Sequence, residues 1–187
     1  MKYQESYNRV VQVLPMLAEV EDKETAGMIA EAWIRSEAYG KWERMEDGCY
    51  SPNVPGKKLV DHVNVVTESS QAIAKSIIAH HGYQIDTQKL LVLTLMHDVC
   101  KLIEYEPDGK GGGQLSKYGK ALPHGVISAL LAYQLGFDLE MVHLIITHSS
   151  HIKNKPQLLE GVIMGFADLC DTQVHFWETG LPLITEL

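Results

Sequence analysis

Hydrophobic residues recur at intervals of three and four along most of the chain, which is the period of helices that bury one face. This pattern predicts helices over residues 2–19, 22–45, 57–80, 86–103, 123–136, 139–147 and 158–169. No alternation of apolar and polar residues runs long enough to indicate a strand. The pattern therefore predicts an all-α fold of about six or seven helices.

Two stretches rich in glycine and proline interrupt the helical pattern. Residues 47–56 contain two of each and are predicted to be a connector. It separates an N-terminal helical extension, residues 1–50, from the remainder, residues 51–187, within a single structural domain. The extension is expected to cover the core or to form a lid over it. Residues 106–123 hold a run of glycines without the strand or the Lys-Ser/Thr ending of a P-loop, and are predicted to form a mobile loop.

The apolar run of residues 90–96 ends in an adjacent histidine and aspartate, His97 and Asp98. An ionisable pair that enters a core is costly unless it is paired or holds a metal ion. Neutral imidazole and carboxylate are ligands that divalent metals accept. The pair alone is explained equally well by an aspartate that caps a helix or pairs with the histidine.

Further histidines lie near the ends of predicted helices, namely His62, His124, His148 and His151. His124 follows Pro123 at a helix start, where the electropositive helix end disfavours protonation and leaves the imidazole available as a ligand. Asp168 interrupts the apolar face of the last predicted helix. A carboxylate in that position needs compensation, and a metal ion would provide it.

In this order, His62, the His97 and Asp98 pair, and Asp168 resemble the signature of the HD-domain superfamily of metal-dependent phosphohydrolases. The resemblance spans about residues 59–171, and Lys101 completes a local His-Asp-x-x-Lys pattern. It implies an all-α HD-domain helical bundle. Branches with two extra histidines resemble dinuclear members, so His124 and His148 would complete a six-ligand set for two divalent ions, with Asp98 as the bridge. The identity of the metal stays open among Fe, Mn, Mg, Co, Ni and Zn.

The resemblance implies hydrolysis of a phosphoester by metal-activated water, with a small phosphorylated molecule or a nucleotide as substrate. Lys101 would orient the phosphate, although a plain ion pair with Asp98 explains it equally well. His151 would donate a proton to the leaving oxygen or bind the phosphate. Two other interpretations stay open: a di-iron oxygenase with the same ligands, and a catalytically silent regulatory domain that binds metal.

The net charge and the cysteine content indicate which binding partners and which cellular location to expect. The net charge of -8 argues against a surface that binds duplex nucleic acid, although Lys110, Lys117 and Lys120 bring local positive charge near the expected site. Three cysteines at irregular spacing are typical of a reducing cytoplasm. No apolar run approaches the length of a membrane span, so a cytoplasmic protein is expected. The sequence does not indicate an oligomeric state.

Overall fold

The computed structural model describes residues 2–149 and 152–184. The helices are α1 (Lys2–Val13), α2 (Lys23–Tyr39), α3 (Leu59–His81), α4 (Thr87–Met96), α5 (Lys101–Glu104), α6 (His124–Leu135), α7 (Leu139–Thr147) and α8 (Leu159–Thr179). Two 3-10 turns, Pro15–Glu19 and Met45–Asp47, and one antiparallel pair of strands, β1 (Tyr105–Pro107) and β2 (Gly113–Leu115), complete the regular structure of these residues. The prediction of an all-α fold is confirmed.

Helix α4 lies at the centre of the fold. Residues 90–96 are all buried, and α4 packs against α2, α3, α7 and α8. Thr94, the polar residue in this run, donates its hydroxyl hydrogen to the carbonyl oxygen of Leu91 at 2.9 Å and so stays satisfied inside the core. A helix that is apolar on every side is stable when it is surrounded. The helix therefore delivers the following residues, His97 and Asp98, into the interior.

The N-terminal helices contribute to the same core. Leu14, Leu17 and Trp33 are fully buried, and the Trp33 indole nitrogen donates a hydrogen bond to the Leu95 carbonyl oxygen at 2.9 Å. Helix α2 also contacts α5 and α6. These contacts favour a structural cover over a lid. The division between an extension of residues 1–50 and a metal-binding part of residues 51–187 stays a prediction.

Two of the predicted N-terminal helices end earlier than expected. Residues 2–19 do not form one helix, because Pro15 lacks an amide hydrogen and disfavours the helical conformation of Leu14, whose φ and ψ are -124° and 78°. Helix α2 ends at Tyr39 and not near residue 45. A Cβ atom on Gly40 would lie 2.5 Å from the carbonyl oxygen of Leu102, so the chain turns there in close contact with α5.

The predicted helix of residues 86–103 is also wrong, because the structure divides it at the His97 and Asp98 pair. Helix α4 ends at Met96, residues 97–100 form a turn, and α5 begins at Lys101. The backbone N–H of Lys101 bonds the Asp98 carbonyl oxygen at 2.9 Å, a tighter i to i−3 pattern. The relation between Lys101 and Asp98 is therefore set by this turn and not by a continuous helical face.

The glycine-rich stretch forms a hairpin where the sequence predicted an irregular, mobile loop. Asp108 makes the turn, since its Oδ1 accepts hydrogen bonds from the backbone N–H groups of Lys110 and Gly112 at 2.7 and 2.9 Å. Ser116 then ties the hairpin to α5 by donating to the Ile103 carbonyl oxygen at 2.6 Å. The segment thus has a defined position beside α5.

Several predicted helix ends are confirmed. Asp86 caps α4 by accepting a hydrogen bond from the Lys89 N–H, and Gly82 and Gly136 end α3 and α6 with φ values of 69° and 99°. Pro123 precedes α6, so His124 is its first residue. Among the described residues, no helix combines the length and the apolar character that a membrane crossing requires.

Candidate metal centre

Four helices and the turn after α4 bring the predicted ligands together around Asp98. Its Oδ2 atom lies 3.3 Å from Nε2 of His62 and 3.5 Å from Nε2 of His97. Its Oδ1 atom lies 3.2 Å from Nε2 of His124 and 3.4 Å from Nε2 of His148. Each oxygen of this one carboxylate therefore faces a different pair of imidazoles.

The arrangement consists of two groups of donor atoms that share Asp98. One group is His62, His97 and Asp98, the other is Asp98, His124 and His148, and within each group the donor atoms lie within 4.8 Å of one another. Asp168 from α8 adds a carboxylate oxygen 3.3 Å from Nε2 of His62. The two groups could each hold one metal ion, with Asp98 between the ions.

The second nitrogen of each imidazole has a partner that fixes the ring. Nδ1 of His97 bonds the carbonyl oxygen of Thr94 at 2.7 Å, and Nδ1 of His148 bonds that of Ile145. Nδ1 of His124 bonds the Glu104 carboxylate at 2.9 Å, and Nδ1 of His62 bonds the Asp171 carboxylate at 2.7 Å. Carbonyl and ionised carboxylate oxygens only accept hydrogen bonds, so the proton is on Nδ1 in all four rings. The Nε2 atoms then face Asp98, as metal-ligating histidines require.

The buried donor atoms lack protein partners. Nε2 of His62, Nε2 of His97 and Oδ1 of Asp98 are buried and have no hydrogen-bond partner among the described residues. The ammonium of Lys101 forms an ion pair with Oδ2 of Asp98, so Oδ1 and the two Nε2 atoms are the ones without any partner in the described part of the chain. Leaving several buried acceptors unsatisfied is costly, and a cation placed among them removes that cost. Nitrogen and carboxylate donors suit divalent transition metals, so the donor set fits the predicted cofactor.

The electrostatics of the centre favour added positive charge on the His62 side. Burial lowers the pKa of His62, but the neighbouring carboxylates of Asp168, Asp171 and Asp98 outweigh burial and raise it to about 10. In the metal-free protein a second proton therefore occupies Nε2 of His62, where an ion would bind. Burial lowers the pKa of His97 to about 4 despite Asp98, so this ring stays neutral.

Lys101 occupies the edge of the centre. Its ammonium lies 2.7 Å from Oδ2 of Asp98 and 4.1 Å from the centroid of the Tyr50 ring, and only 7% of the residue is exposed. Burial lowers its pKa, but Asp98 and other nearby groups raise it more, so the ammonium stays charged. The ion pair with Asp98 is thus present in the structure. The role of Lys101 towards a phosphate stays a prediction.

Three side chains near the centre were missed or only partly predicted. Asp171 lies three residues after Asp168 on α8, and this spacing places its carboxylate against His62. Glu104 accepts hydrogen bonds from the backbone N–H and from Nδ1 of His124, both at 2.9 Å. No spacing along the chain indicated Glu104. His151 lies outside the described residues, so its role stays a prediction.

Tyr50 is the third of these residues and comes from the connector. Its ring centroid lies 4.3 Å from that of His62, and its hydroxyl hydrogen-bonds the Thr172 hydroxyl of α8 at 2.5 Å. Tyr50 therefore packs between His62 and the ammonium of Lys101. A tyrosine in a stretch of glycines and prolines carries no periodic signal, so the sequence did not indicate this contact.

Comparison with known proteins gives one family and one characterised relative. Residues 60–173 match the HD domain. The dihydroneopterin 2',3'-cyclic phosphate phosphodiesterase of Methanocaldococcus jannaschii is 23% identical over 119 residues, which are 63% of this chain and 47% of that protein. The chain thus spans about half the length of the curated relative that it matches. No solved structure gives a significant match.

Proposed function

Because the chain belongs to the HD-domain family, we propose that it is a metal-dependent hydrolase that cleaves a phosphoester of a small molecule or nucleotide. The proposed ligands of two divalent ions are His62, His97, Asp98, His124, His148 and Asp168. The observation that carries the proposal is the position of Asp98, whose two oxygens face two separate pairs of imidazole Nε2 atoms. Such a bridging carboxylate is what a two-metal site needs.

The relative supports the reaction class more than the substrate. Its name describes a phosphodiesterase that acts on a cyclic phosphate, but 23% identity over about half of its length does not carry a substrate across. The proposal is therefore limited to a small phosphorylated substrate. Duplex nucleic acid is not part of it, because a net charge of -8 repels a polyanion. A cytoplasmic location is also part of the proposal.

The residues of the centre would have different roles in the reaction. A bound pair of divalent ions supplies an activated water nucleophile and neutralises charge on the phosphate oxygens. Asp98 would hold both ions, while Glu104 and Asp171 keep the rings of His124 and His62 in the ligating orientation. Lys101 keeps a permanent positive charge at the edge of the centre, where it would orient a phosphate oxygen. His151 stays a predicted proton donor to the leaving oxygen.

The test combines metal analysis with turnover. The protein is purified without chelators, reconstituted separately with each candidate metal, and assayed on bis(p-nitrophenyl) phosphate and p-nitrophenyl phosphate with and without oxygen. We expect more than one equivalent of metal and hydrolysis that does not depend on oxygen. Asp98→Ala should lose metal and turnover together, because it removes the shared ligand. Asp61→Ala, which removes an exposed carboxylate one residue before His62, is the control.

Four outcomes would contradict parts of the proposal. Full metal content and turnover in Asp98→Ala would show that Asp98 is structural. A single equivalent of metal that survives both His124→Ala and His148→Ala would refute the two-metal site. Turnover that requires iron and oxygen would replace the hydrolase with a di-iron oxygenase, and a fully loaded protein inactive on both esters would favour a regulatory domain.

A further inference from the structure

A large cavity lies beside the candidate metal centre. Its volume is about 880 Å³, within the range of about 300–1,000 Å³ that is typical of small-molecule sites. Its walls come from the connector at residues 51–53, the hairpin at residues 113–115, and the segment of residues 119–123 that leads into α6. Residues 51–53 precede the part of the chain that matches the HD domain, so one wall is built by the middle of the connector.

Glu104 joins this cavity to the metal centre. It lines the cavity, and its two carboxylate oxygens accept hydrogen bonds from the backbone and the ring of His124. The cavity therefore abuts the side of the centre formed by His124 and His148. This space therefore lies beside the centre, where the organic part of a phosphoester could be placed.

The cavity offers little positive charge. Among its lining residues the charged side chains are Glu104 and Lys120, and Glu104 is already used by His124. Strong binding of phosphate relies on several charge-assisted hydrogen bonds, usually from more than one Arg or Lys. The single ammonium of Lys120 does not supply these for a second or third phosphate. The charge of the lining thus favours an organic group that is itself neutral.

The uncharged lining combines apolar surfaces with amide groups. Leu115, Leu122 and Val126 contribute apolar surface, while Asn53 and Gln114 offer both hydrogen-bond donors and acceptors. Apolar walls can contact the faces of a planar ring, and amides can pair with the polar edge of a heterocycle. This combination is typical of sites for amphipathic small molecules, in which a few polar groups fix the orientation.

We propose that this cavity binds the alcohol part of the ester, that this part is a neutral, planar, nucleoside-sized group, and that the cavity selects esters with a single phosphoryl group over di- and triphosphates. This inference rests on the proposed function for the position of the phosphate. It assigns the connector and the hairpin to substrate recognition. It also gives residues 51–53 of the connector a role beyond joining the two parts of the chain.

The first experiment measures binding and needs no turnover. AMP and ATP are titrated calorimetrically into the metal-free protein without added divalent ions. We expect AMP to bind at least about tenfold more tightly than ATP, since the additional phosphates find no further cations. Leu122→Trp should weaken AMP binding by about tenfold or more by filling the cavity. Equal affinities for AMP and ATP, or no AMP binding at millimolar concentrations, would overturn the proposal.

A gain-of-charge variant tests the selection against polyphosphates. Leu122→Lys places a second ammonium in the cavity, and it should bring the affinity for ATP closer to that for AMP by about tenfold. Tyr118→Lys is the matched control, because Tyr118 is exposed to a similar extent (46% against 42%) but does not line the cavity. If both variants changed the ratio of affinities equally, the effect would be one of overall charge and the cavity assignment would be wrong.

Turnover separates this inference from the proposed function. With metal-loaded protein, the ratio of kcat/KM for AMP to kcat/KM for p-nitrophenyl phosphate should fall at least about tenfold in Leu122→Trp, because the small nitrophenyl group depends less on the cavity. An unchanged ratio would contradict the cavity proposal. Failure of the loaded wild-type protein to hydrolyse any ester would contradict the proposed function instead, while the binding results would still decide the role of the cavity.

Discussion

Glu104 and Asp171 each orient one imidazole, and these imidazoles belong to different halves of the centre. Glu104 bonds His124, whereas Asp171 bonds His62. If the two halves hold separate ions, we expect Glu104→Gln to weaken the ion on the His124 side and Asp171→Asn to weaken the ion on the His62 side. Either change should leave the other ion bound more tightly than the one it affects.

The magnitude follows from the hydrogen bonds that each amide would lose. The two oxygens of Glu104 accept from the backbone N–H and from Nδ1 of His124. In Glu104→Gln one of these donors must face the NH₂ group of the amide, which cannot accept. Loss of such an outer partner typically costs about 10- to 100-fold in metal affinity, or about 1.4 to 2.7 kcal/mol. Asp171 contacts Nδ1 of His62 through Oδ2 alone, so the amide oxygen of Asp171→Asn can still accept this hydrogen bond, but the negative charge behind the ring is lost and we expect a change at the lower end of this range.

The assay is a calorimetric titration of metal-free protein with Mn²⁺ or Co²⁺, followed by elemental analysis after gel filtration. Wild-type protein should give two binding steps, and each variant should shift a different step. Asp61→Asn makes the same chemical change at an exposed carboxylate next to His62 and should shift neither. Thermal melting of each metal-free variant verifies that the fold is retained.

The outcome that refutes the reasoning is a shared effect. If Glu104→Gln and Asp171→Asn both weakened the same step, the two histidines would serve one ion and not two. A single step in the wild-type titration, shifted by both variants, would also mean that one ion is bound. The two ions share Asp98, so a variant can also weaken the second ion to some extent. The test still holds, because each variant should shift the step of its own ion more than the other step.

Three further predictions concern Lys101, Tyr50 and His62. Lys101→Met should retain metal by elemental analysis, but its kcat/KM on phosphoesters should show a loss of about 1.5 to 3 kcal/mol of transition-state stabilisation. Unchanged kinetics would mean that Lys101 only forms the ion pair with Asp98. Tyr50→Phe should lower the free energy of unfolding by about 0.5 to 1.5 kcal/mol, through loss of the hydrogen bond to Thr172, with near wild-type turnover. Tyr50→Leu, which also removes the ring beside Lys101, should reduce turnover, and equal turnover in the two variants would argue against a positioning role. Because the pKa of His62 is raised to about 10, its contribution to the stability of metal-free protein is complete below the unfolded-state pKa of about 6.5 and is lost as the pH rises towards 10. Melting with chelator should therefore show a lower Tm at pH 10 than at pH 6.5, a difference that His62→Gln should reduce.

The parts of the fold that local chemistry determines were predictable from the sequence. Periodic apolar residues placed the main helices, and Gly82, Asp86, Pro123 and Gly136 marked their ends, because a left-handed glycine, a capping carboxylate and a proline act within a single turn of the chain. The order of the histidines and aspartates indicated the candidate centre. The signals for the helices and their ends all lie within a few residues of the feature that they specify.

The parts that depend on contacts between distant residues were not predictable. The apolar pattern continues past His97, so nothing local signals the turn of residues 97–100 that divides the expected helix. Asp171 meets His62 across 109 positions, and Tyr50 meets Thr172 across 122. Glu104 lies 20 positions from His124 and beyond the reach of any helical spacing. Such partners become visible only when the helices are packed.

The turn after α4 explains how a buried carboxylate can face two groups of ligands. The turn places Asp98 at the end of a helix that α3, α7 and α8 surround, so side chains from several helices can reach both of its oxygens. Burial of Asp98 is costly, and in the metal-free protein its charge is compensated by Lys101 and by the extra proton on His62. Divalent ions would bring more positive charge than the proton they displace. The centre should therefore attract a phosphate strongly only after metal has bound. This account is tested by measuring the affinity for phosphate in metal-free and in metal-loaded protein. Equal affinities in the two states would show that Lys101 and His62 alone set the phosphate affinity, and would contradict this account.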